Sequence, residues 1–409
     1  MAKYIIVLGL LVSWINTSAQ KLSISLFNDI RLSTILITPT KGNYKLITGD
    51  VQENLHANQI LYLTRAGDSI MVRDANRNLG TWKRVSIVGD TNEDIIRVKP
   101  IIPAKPARLY DDNLSFYVEY DRIMAINLID EEKYIAAVVE AEGGPNRDDE
   151  FYKAQALIAR TYTFKHLQKH NSEGFNLCDG VHCQAYKGRS EMDEDIYTAT
   201  SDTKDLIIVD SLNRPITAAF HANCGGETAN SGDVWIESLP YLVSVPDRFC
   251  TNSRSATWER RVPLKEWKKF LSEQGVDTLK IGKHSEMNFD SHQRAKNYTA
   301  YGVTIPTTKI RSQFKLRSAW FSIFVYKTEV RFSGRGYGHG VGLCQDGAIN
   351  MASRGWTYDK IIEYYYKGVK IVSEDSVDVS NMQPDTLNVE DHAESDTMLP
   401  PPDQMRPPM

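Results

Sequence analysis

Past residue 20 the chain has no run of about 18 apolar residues, which argues against a membrane-spanning helix beyond the N-terminus. Charge of one sign is scarce as well. The 48 Lys and Arg nearly balance 52 Asp and Glu, leaving −4 over 409 residues. The chain as a whole therefore has no field to draw it to nucleic acid or to an anionic membrane. No segment recurs at a fixed period. Gly336, Gly338, Gly340 and Gly342 alternate, but the dinucleotide-binding spacing and the helix that should follow it are missing, so tight turns or close backbone approach account for them better. Cysteine is sparse and odd in number: Cys178, Cys183, Cys224, Cys250 and Cys344. In an oxidising compartment at least one of the five must stay a free thiol, ligate a metal or pair with another chain.

What is present points to an exported protein with a sizeable core. The chain is 42% hydrophobic and 24% charged, ample for more than one compact unit. MAKYIIVLGLLVSWINTSAQ has a basic start, an apolar run too short for a comfortable span, and small residues before Gln20. It reads as a signal peptide over residues 1–19, with an uncleaved anchor as the alternative. No cysteine lies there to carry a lipid.

Residues 20–125 are dominated by short alternating or β-branched runs such as STILIT, DSIMVRD and RVSIVG, parted by Gly, Asn and Asp. That pattern predicts a β-rich, antiparallel region. From Asp130–Glu132 onward the period changes. Helices are expected there, from Asp149 to about His170, in VPLKEWKKFLSEQG and in TYDKIIEYYYKG, with strands such as LIIVD, ITAAFHA and EVRFSG between them. The fold class is α+β, with a mixed helix and antiparallel-strand core over 126–372. Residues 373–409, acidic and ending LPPPDQMRPPM, have too few apolar side chains for a core and read as a disordered tail.

One stretch carries chemistry. In YIAAVVEAEGG, residues 134–144, Ile135, Val138, Val139 and Glu142 fall at i, i+3, i+4 and i+7, a single helix face. Glu142 is thus in line with the buried stripe. Glu140 lies about 200° around the helix, where solvation is expected. Gly143, Gly144 and Pro145 stop the helix, so Glu142 sits at its C-terminal end. Burial and the negative end of the helix dipole both disfavour a carboxylate there and raise its pKa. A carboxyl group that keeps its proton near neutral pH suits general acid catalysis. A structural glutamate, capping backbone or paired with an arginine, is the competing reading.

Together with KAQALIART, the stretch resembles the signature of the SpoIID/LytB family, named for sporulation stage II protein D and an amidase-modifier protein. Tyr134, Val138, Val139 and Glu142 match its first part in register, and Ala154, Gln155, Ala156, Ala159, Arg160 and Thr161 its second. Gly143 stands where a methionine is usual, and Phe151–Tyr152 replace the common Ala-Leu. FHANCGGETAN, DVWIESLPYLVSVPD, LRSAWF and GRGYGHGVGLCQDGAINMASRG follow in the family order, so the resemblance spans about residues 110–372. It implies a lytic transglycosylase that cuts peptidoglycan glycan strands stripped of stem peptides and leaves 1,6-anhydro-N-acetylmuramic ends, with Glu142 as acid/base. The alternative it carries is a non-catalytic wall-binding protein that enhances a separate cell-wall amidase. Ordinary glycoside hydrolysis needs two carboxylates. Glu227, Asp233 and Glu237 are candidates for a second only by proximity in sequence, and solvated loop positions suit each.

The resemblance also marks Gln155, His221, His339 and Gln345 as groove residues. Trp235 and Tyr241 offer aromatic faces to sugar rings, or pack in the core. Arg160 is a further substrate-binding candidate, and it is also placed to pair with Glu142 from the next helix, which would lower the acid's pKa. Cys178 and Cys183 lie near His166, His170 and His182. Some relatives hold zinc with two cysteines and a histidine in this loop, so Cys178, Cys183 and His170 are candidate ligands of a structural zinc, and a Cys178–Cys183 disulfide is the rival. Cys224 and Cys250 are expected to bridge, leaving Cys344 as the odd thiol. No other cofactor is required.

Overall fold

The computed structural model describes residues 21–49, 51–191, 194–277 and 282–378. The expected signal peptide and nearly all of the expected tail lie outside the described residues.

The N-terminal third alternates buried and open residues as its strands demand. In Leu61–Ala66, Ser69–Arg73 and Ile95–Ile102 every second side chain turns inward. Two sheets result. One has seven strands, in the order Leu177–Cys178, Lys21–Leu26, Arg122–Asp130, Asn113–Glu119, Arg84–Gly89, Tyr44–Thr48 and Val51–Leu55. The other has six, in the order Arg108–Asp111, Ile95–Ile102, Thr34–Lys41, Leu61–Ala66, Ser69–Arg73 and Asn78–Trp82. Their inner faces share one apolar core that includes Ile24, Ile35, Leu63, Val72, Ile87 and Val98.

The seven-stranded sheet positions the site directly. Lys21–Leu26 pairs antiparallel with Arg122–Asp130 and parallel with Leu177–Cys178, which fastens the cysteine loop to the sandwich. Arg122–Asp130 then runs straight into helix α1, Glu131–Gly143, whose N-cap Asp130 accepts the Glu132 and Lys133 N–H groups. Helices α2, Asp149–Lys165, and α3, Glu194–Asp202, pack on α1. Wrapped in this way, α1 is buried all round.

That wrapping overturns the expected solvation of Glu140. Its Oε2 accepts the Ser190 hydroxyl at 2.8 Å and the Glu191 N–H at 2.9 Å, and the side chain is buried. Periodicity found one stripe of α1; the 190–191 loop covers the opposite one.

Within 126–372, residues between Trp258 and Phe332 build a second apolar cluster of their own. It forms on the sheet Thr257–Pro263, Glu329–Arg335 and Phe321–Val325, with Trp267 ringed by Phe270, Tyr298, Phe314 and Phe332. Lys370–Ser373 returns to pair with Leu206–Val209. Among the described residues no helix is long and apolar enough to cross a membrane.

Candidate active site

Glu142 lies where α1 runs out. The Gly144 N–H bonds back to the Glu140 carbonyl with φ at +69°, closing the helix. Gly143 is needed for closeness: a Cβ there would stand 2.8 Å from Phe151 of α2. The Glu142 side chain is 3% exposed. Its Oε1 accepts the Ala185 N–H at 3.1 Å, and its Oε2 is buried with no partner among the described residues. Burial pushes this carboxyl up to about 7, against the opposing pull of the Ala185 N–H and Lys187. Among the described residues no second carboxylate bears on it. Ser244 donates to Glu227, and Asn230 to Asp233. Both acids line a separate cavity of about 230 Å³ with Arg294 and Lys296.

Three groove candidates converge on the acid or on the strands beside it. Gln345, at the start of helix Gln345–Ala352, donates through Nε2 to the Glu142 carbonyl at 3.1 Å and reaches Gln155 Oε1 at 3.5 Å. Gln155 is buried on α2, and its Nε2 has no partner among the described residues. The short strands Phe220–His221 and Leu343–Cys344 pair in parallel, which sets His221 opposite Cys344, one residue before Gln345. His221 is fully buried. Its Nδ1 faces the Val341 carbonyl at 3.1 Å and so carries the proton, leaving Nε2 a bare acceptor without a partner among the described residues. Burial, with His339 and Arg294 nearby, holds His221 well below the usual histidine range, so it is neutral at neutral pH.

His339 accepts the Val341 N–H on Nδ1 at 3.0 Å, and its ring lies 5.5 Å from those of both His221 and Trp235. The loop passes this close because residue 338 is glycine: a Cβ there, at φ +107°, would meet the His221 Cβ at 2.8 Å. Trp235 keeps part of its surface open. Tyr241 does not: it is buried, and its hydroxyl accepts the Thr217 N–H at 2.9 Å. The structure thus gives Tyr241 a backbone partner in the core rather than an open face for sugar.

Arg160 also departs from expectation. It is fully buried, but it pairs with Glu132, not Glu142: Nη2 meets Glu132 Oε2 at 2.7 Å and Nε meets Oε1 at 3.2 Å. The remaining donors reach the Thr203 and Thr200 carbonyls. The reason is the antiparallel run of α1 and α2. Gln155 lies beside the end of α1, and five residues further along α2 the partner comes from the start of α1. Arg160 locks three helices together, and Glu142 is left without a guanidinium to lower its pKa.

The loop that supports Glu142 carries a convergent donor set. The Cys178 and Cys183 sulfurs, an imidazole nitrogen of His170 and one of His182 all lie within 4.8 Å of one another. Cys183 Sγ stands 3.4 Å from His170 Nε2, and His182 Nδ1 stands 3.8 Å from Cys178 Sγ. His170 Nδ1 contacts the Glu173 carboxylate, the outer partner that a ligating histidine commonly has. Two thiols and two imidazoles are a donor set that zinc takes readily, and the thiols are not bonded to each other. His182 adds a fourth donor to the three expected, and its place next to Cys183 was the available signal. His166 instead packs on Tyr162. Gln184 then donates to Thr163 Oγ1, Ala185 to Glu142, and the Tyr186 hydroxyl to Asn127 Oδ1. The backbone N–H of Ala185 has no signature that sequence reasoning could read.

Cys224 and Cys250 are not bridged: their sulfurs are 3.3 Å apart, and Cys344 joins them instead of standing alone.

A strand sandwich feeding a buried helix, a proton-holding glutamate at the helix end, and His339 of a glycine loop set against His221 of a strand define a SpoIID-like core. The family model described as stage II sporulation protein matches residues 119–209. The stage II sporulation protein D of Bacillus amyloliquefaciens is 30% identical over 262 residues, covering 60% of this chain and 75% of the relative. Its Bacillus subtilis counterpart is 29% identical over 260 residues with the same coverage. An amidase enhancer of Bacillus subtilis is 26% identical over 276 residues, 55% of this chain and 38% of that protein. The chain belongs to the SpoIID family.

Proposed function

We propose that this protein is an exported lytic transglycosylase that cleaves peptidoglycan glycan strands, preferring those stripped of stem peptides, with Glu142 as its acid and base. The observation that carries the reading is a buried carboxyl group that keeps its proton up to about pH 7 and has one oxygen, Oε2, with no partner among the described residues. Glu142 gives that proton to the glycosidic oxygen, and the C–O bond to the leaving sugar breaks. The muramyl C6 hydroxyl attacks the anomeric carbon, and its proton passes to the Glu142 carboxylate, restoring the acid. No water enters, so no second carboxylate is demanded, in keeping with the absence of one around Glu142 among the described residues. Gln155 Nε2 and His221 Nε2, both buried and without a partner among the described residues, are suited to hydroxyl or acetamido groups of the sugar, with Trp235 offering a ring face.

Zinc at His170, Cys178, His182 and Cys183 would fix the loop whose Ala185 N–H aims Glu142. It is structural in this reading and takes no part in the reaction.

A second reading has one observation behind it. Glu142 Oε2 is closed to solvent, so the groove must open before a glycosidic oxygen reaches it. A closed site fits a wall-binding protein that stimulates a separate amidase, the role in the name of one relative. Digestion of denuded glycan strands, read by mass spectrometry, decides between them. Anhydro-ended products lost in Glu142→Gln support the enzyme, and no products from the wild-type protein support the enhancer.

A further inference from the structure

The second cysteine cluster belongs to neither the zinc loop nor the acid, and it is built like a metal centre. Cys224 follows the strand Phe220–His221, Cys344 ends the strand Leu343–Cys344, and Asp247 and Cys250 come from the loop between Pro246 and Thr251. These three segments, far apart in the chain, deliver three sulfurs and a carboxylate oxygen within 4.8 Å of one another, and all four residues are fully buried.

The spacing separates the possible chemistries. Cys224 Sγ lies 3.3 Å from Cys250 Sγ and 3.2 Å from Asp247 Oδ2. A disulfide holds its sulfurs at about 2.05 Å. A tetrahedral zinc with bonds of about 2.3 Å to sulfur and about 2.0 Å to oxygen spaces its ligand atoms by roughly 3.5–3.8 Å. The observed contacts lie much nearer the second value. Parity points the same way, because three thiols cannot pair among themselves. A Cys224–Cys250 bridge would leave Cys344 as an unpaired thiol, with the buried Asp247 carboxylate beside the bridge and no cation to balance its charge.

The surrounding hydrogen bonds orient the donors as outer partners of a metal site do. The Phe249 N–H donates to Asp247 Oδ1 at 2.8 Å and the Tyr365 hydroxyl to Oδ2 at 3.0 Å. The Cys224 N–H points at Cys344 Sγ at 3.3 Å. Arg294 donates to the Cys224 carbonyl at 2.6 Å, setting a positive charge beside a donor set that would stay anionic with a divalent cation bound.

We propose that Cys224, Asp247, Cys250 and Cys344 form a second, structural site for a borderline-soft divalent cation, zinc being the best match to three thiolates and one carboxylate. Its role follows from what it ties. Cys224 is three residues after His221 and Cys344 immediately precedes Gln345, so the cation clamps together the strands that bring both to the groove. The site stands whether or not Glu142 cuts glycan.

The test counts metal in the full mature chain by elemental mass spectrometry. Cys250→Ser is expected to hold one zinc fewer per chain than wild type, and Asp247→Asn to hold zinc more weakly against a chelator. A Cys178→Ser/Cys183→Ser variant, which removes the first donor set, is expected to retain one zinc. Should Cys250→Ser not fold, wild-type protein denatured and alkylated without reductant gives an independent answer: Cys224, Cys250 and Cys344 all modified supports the site. Equal zinc in wild type and Cys250→Ser, no zinc in the double variant, or a Cys224–Cys250 linked peptide overturns it.

Discussion

The Ala185 N–H donates to Glu142 Oε1 at 3.1 Å while Oε2, in the same carboxyl group, has no partner among the described residues. One oxygen is anchored, and the other is the one the proposed reaction uses to transfer its proton. The anchor sits two residues beyond Cys183, so the cysteine loop and the acid form one mechanical unit.

Replacing Glu142 by glutamine keeps the shape and removes the transferable proton. Release of anhydro-ended fragments is expected to fall by a factor on the order of 10² to 10⁴, with an unchanged circular dichroism spectrum. Retained cleavage would assign the acid to another residue.

The same proton predicts two pH effects. Cleavage governed by protonated Glu142 should fall about tenfold per pH unit above about 7. Stability should move as well, because the fold binds this proton more tightly than the unfolded chain does. The contribution is complete below about pH 4.5 and lost as pH rises to about 7, a change of about 3 kcal/mol. Urea unfolding of wild type and Glu142→Gln across pH 4–8 isolates it, since the glutamine variant should lack that slope.

Arg160→Ala should act on folding, not on substrate binding. It would strand Glu132, buried at the start of α1, and remove the bonds to Thr200 and Thr203. Losing one partner of a buried pair costs about 3–5 kcal/mol, read as a lower urea midpoint. Whatever fraction stays folded should keep the wild-type KM; a raised KM at wild-type stability would return Arg160 to the groove.

Removing metal from the first donor set should slow cleavage without touching the acid itself. His182→Ala, or exhaustive chelation, is expected to loosen the 178–186 loop and lower kcat more than it raises KM. Hydrogen exchange at the Ala185 amide should rise in parallel. An apo protein of full activity would separate that loop from catalysis.

Trp235→Ala should weaken substrate binding, with KM rising severalfold and kcat little changed. Tyr241→Phe, which deletes only the acceptor of the Thr217 N–H, should cost about 1 kcal/mol of stability and leave KM alone.

Much of the site was legible in the chain because its signals are local. The i, i+3, i+4, i+7 stripe placed Glu142 with buried residues, the Gly-Gly-Pro run ended the helix there, and Cys178, His182 and Cys183 fall within six residues of one another. Alternation likewise exposed the N-terminal strands, since each strand reports its own inner face. Tertiary packing decided the rest. A helix period gives directions around an axis and says nothing of what covers each direction, so the period alone leaves Glu140 solvated, while the 190–191 loop lies over it. The antiparallel offset of α1 and α2, absent from either helix alone, handed Arg160 to Glu132. Cys224, Asp247, Cys250 and Cys344 converge only because a parallel strand pair and a returning loop meet, and spacing along a chain carries no trace of such a meeting.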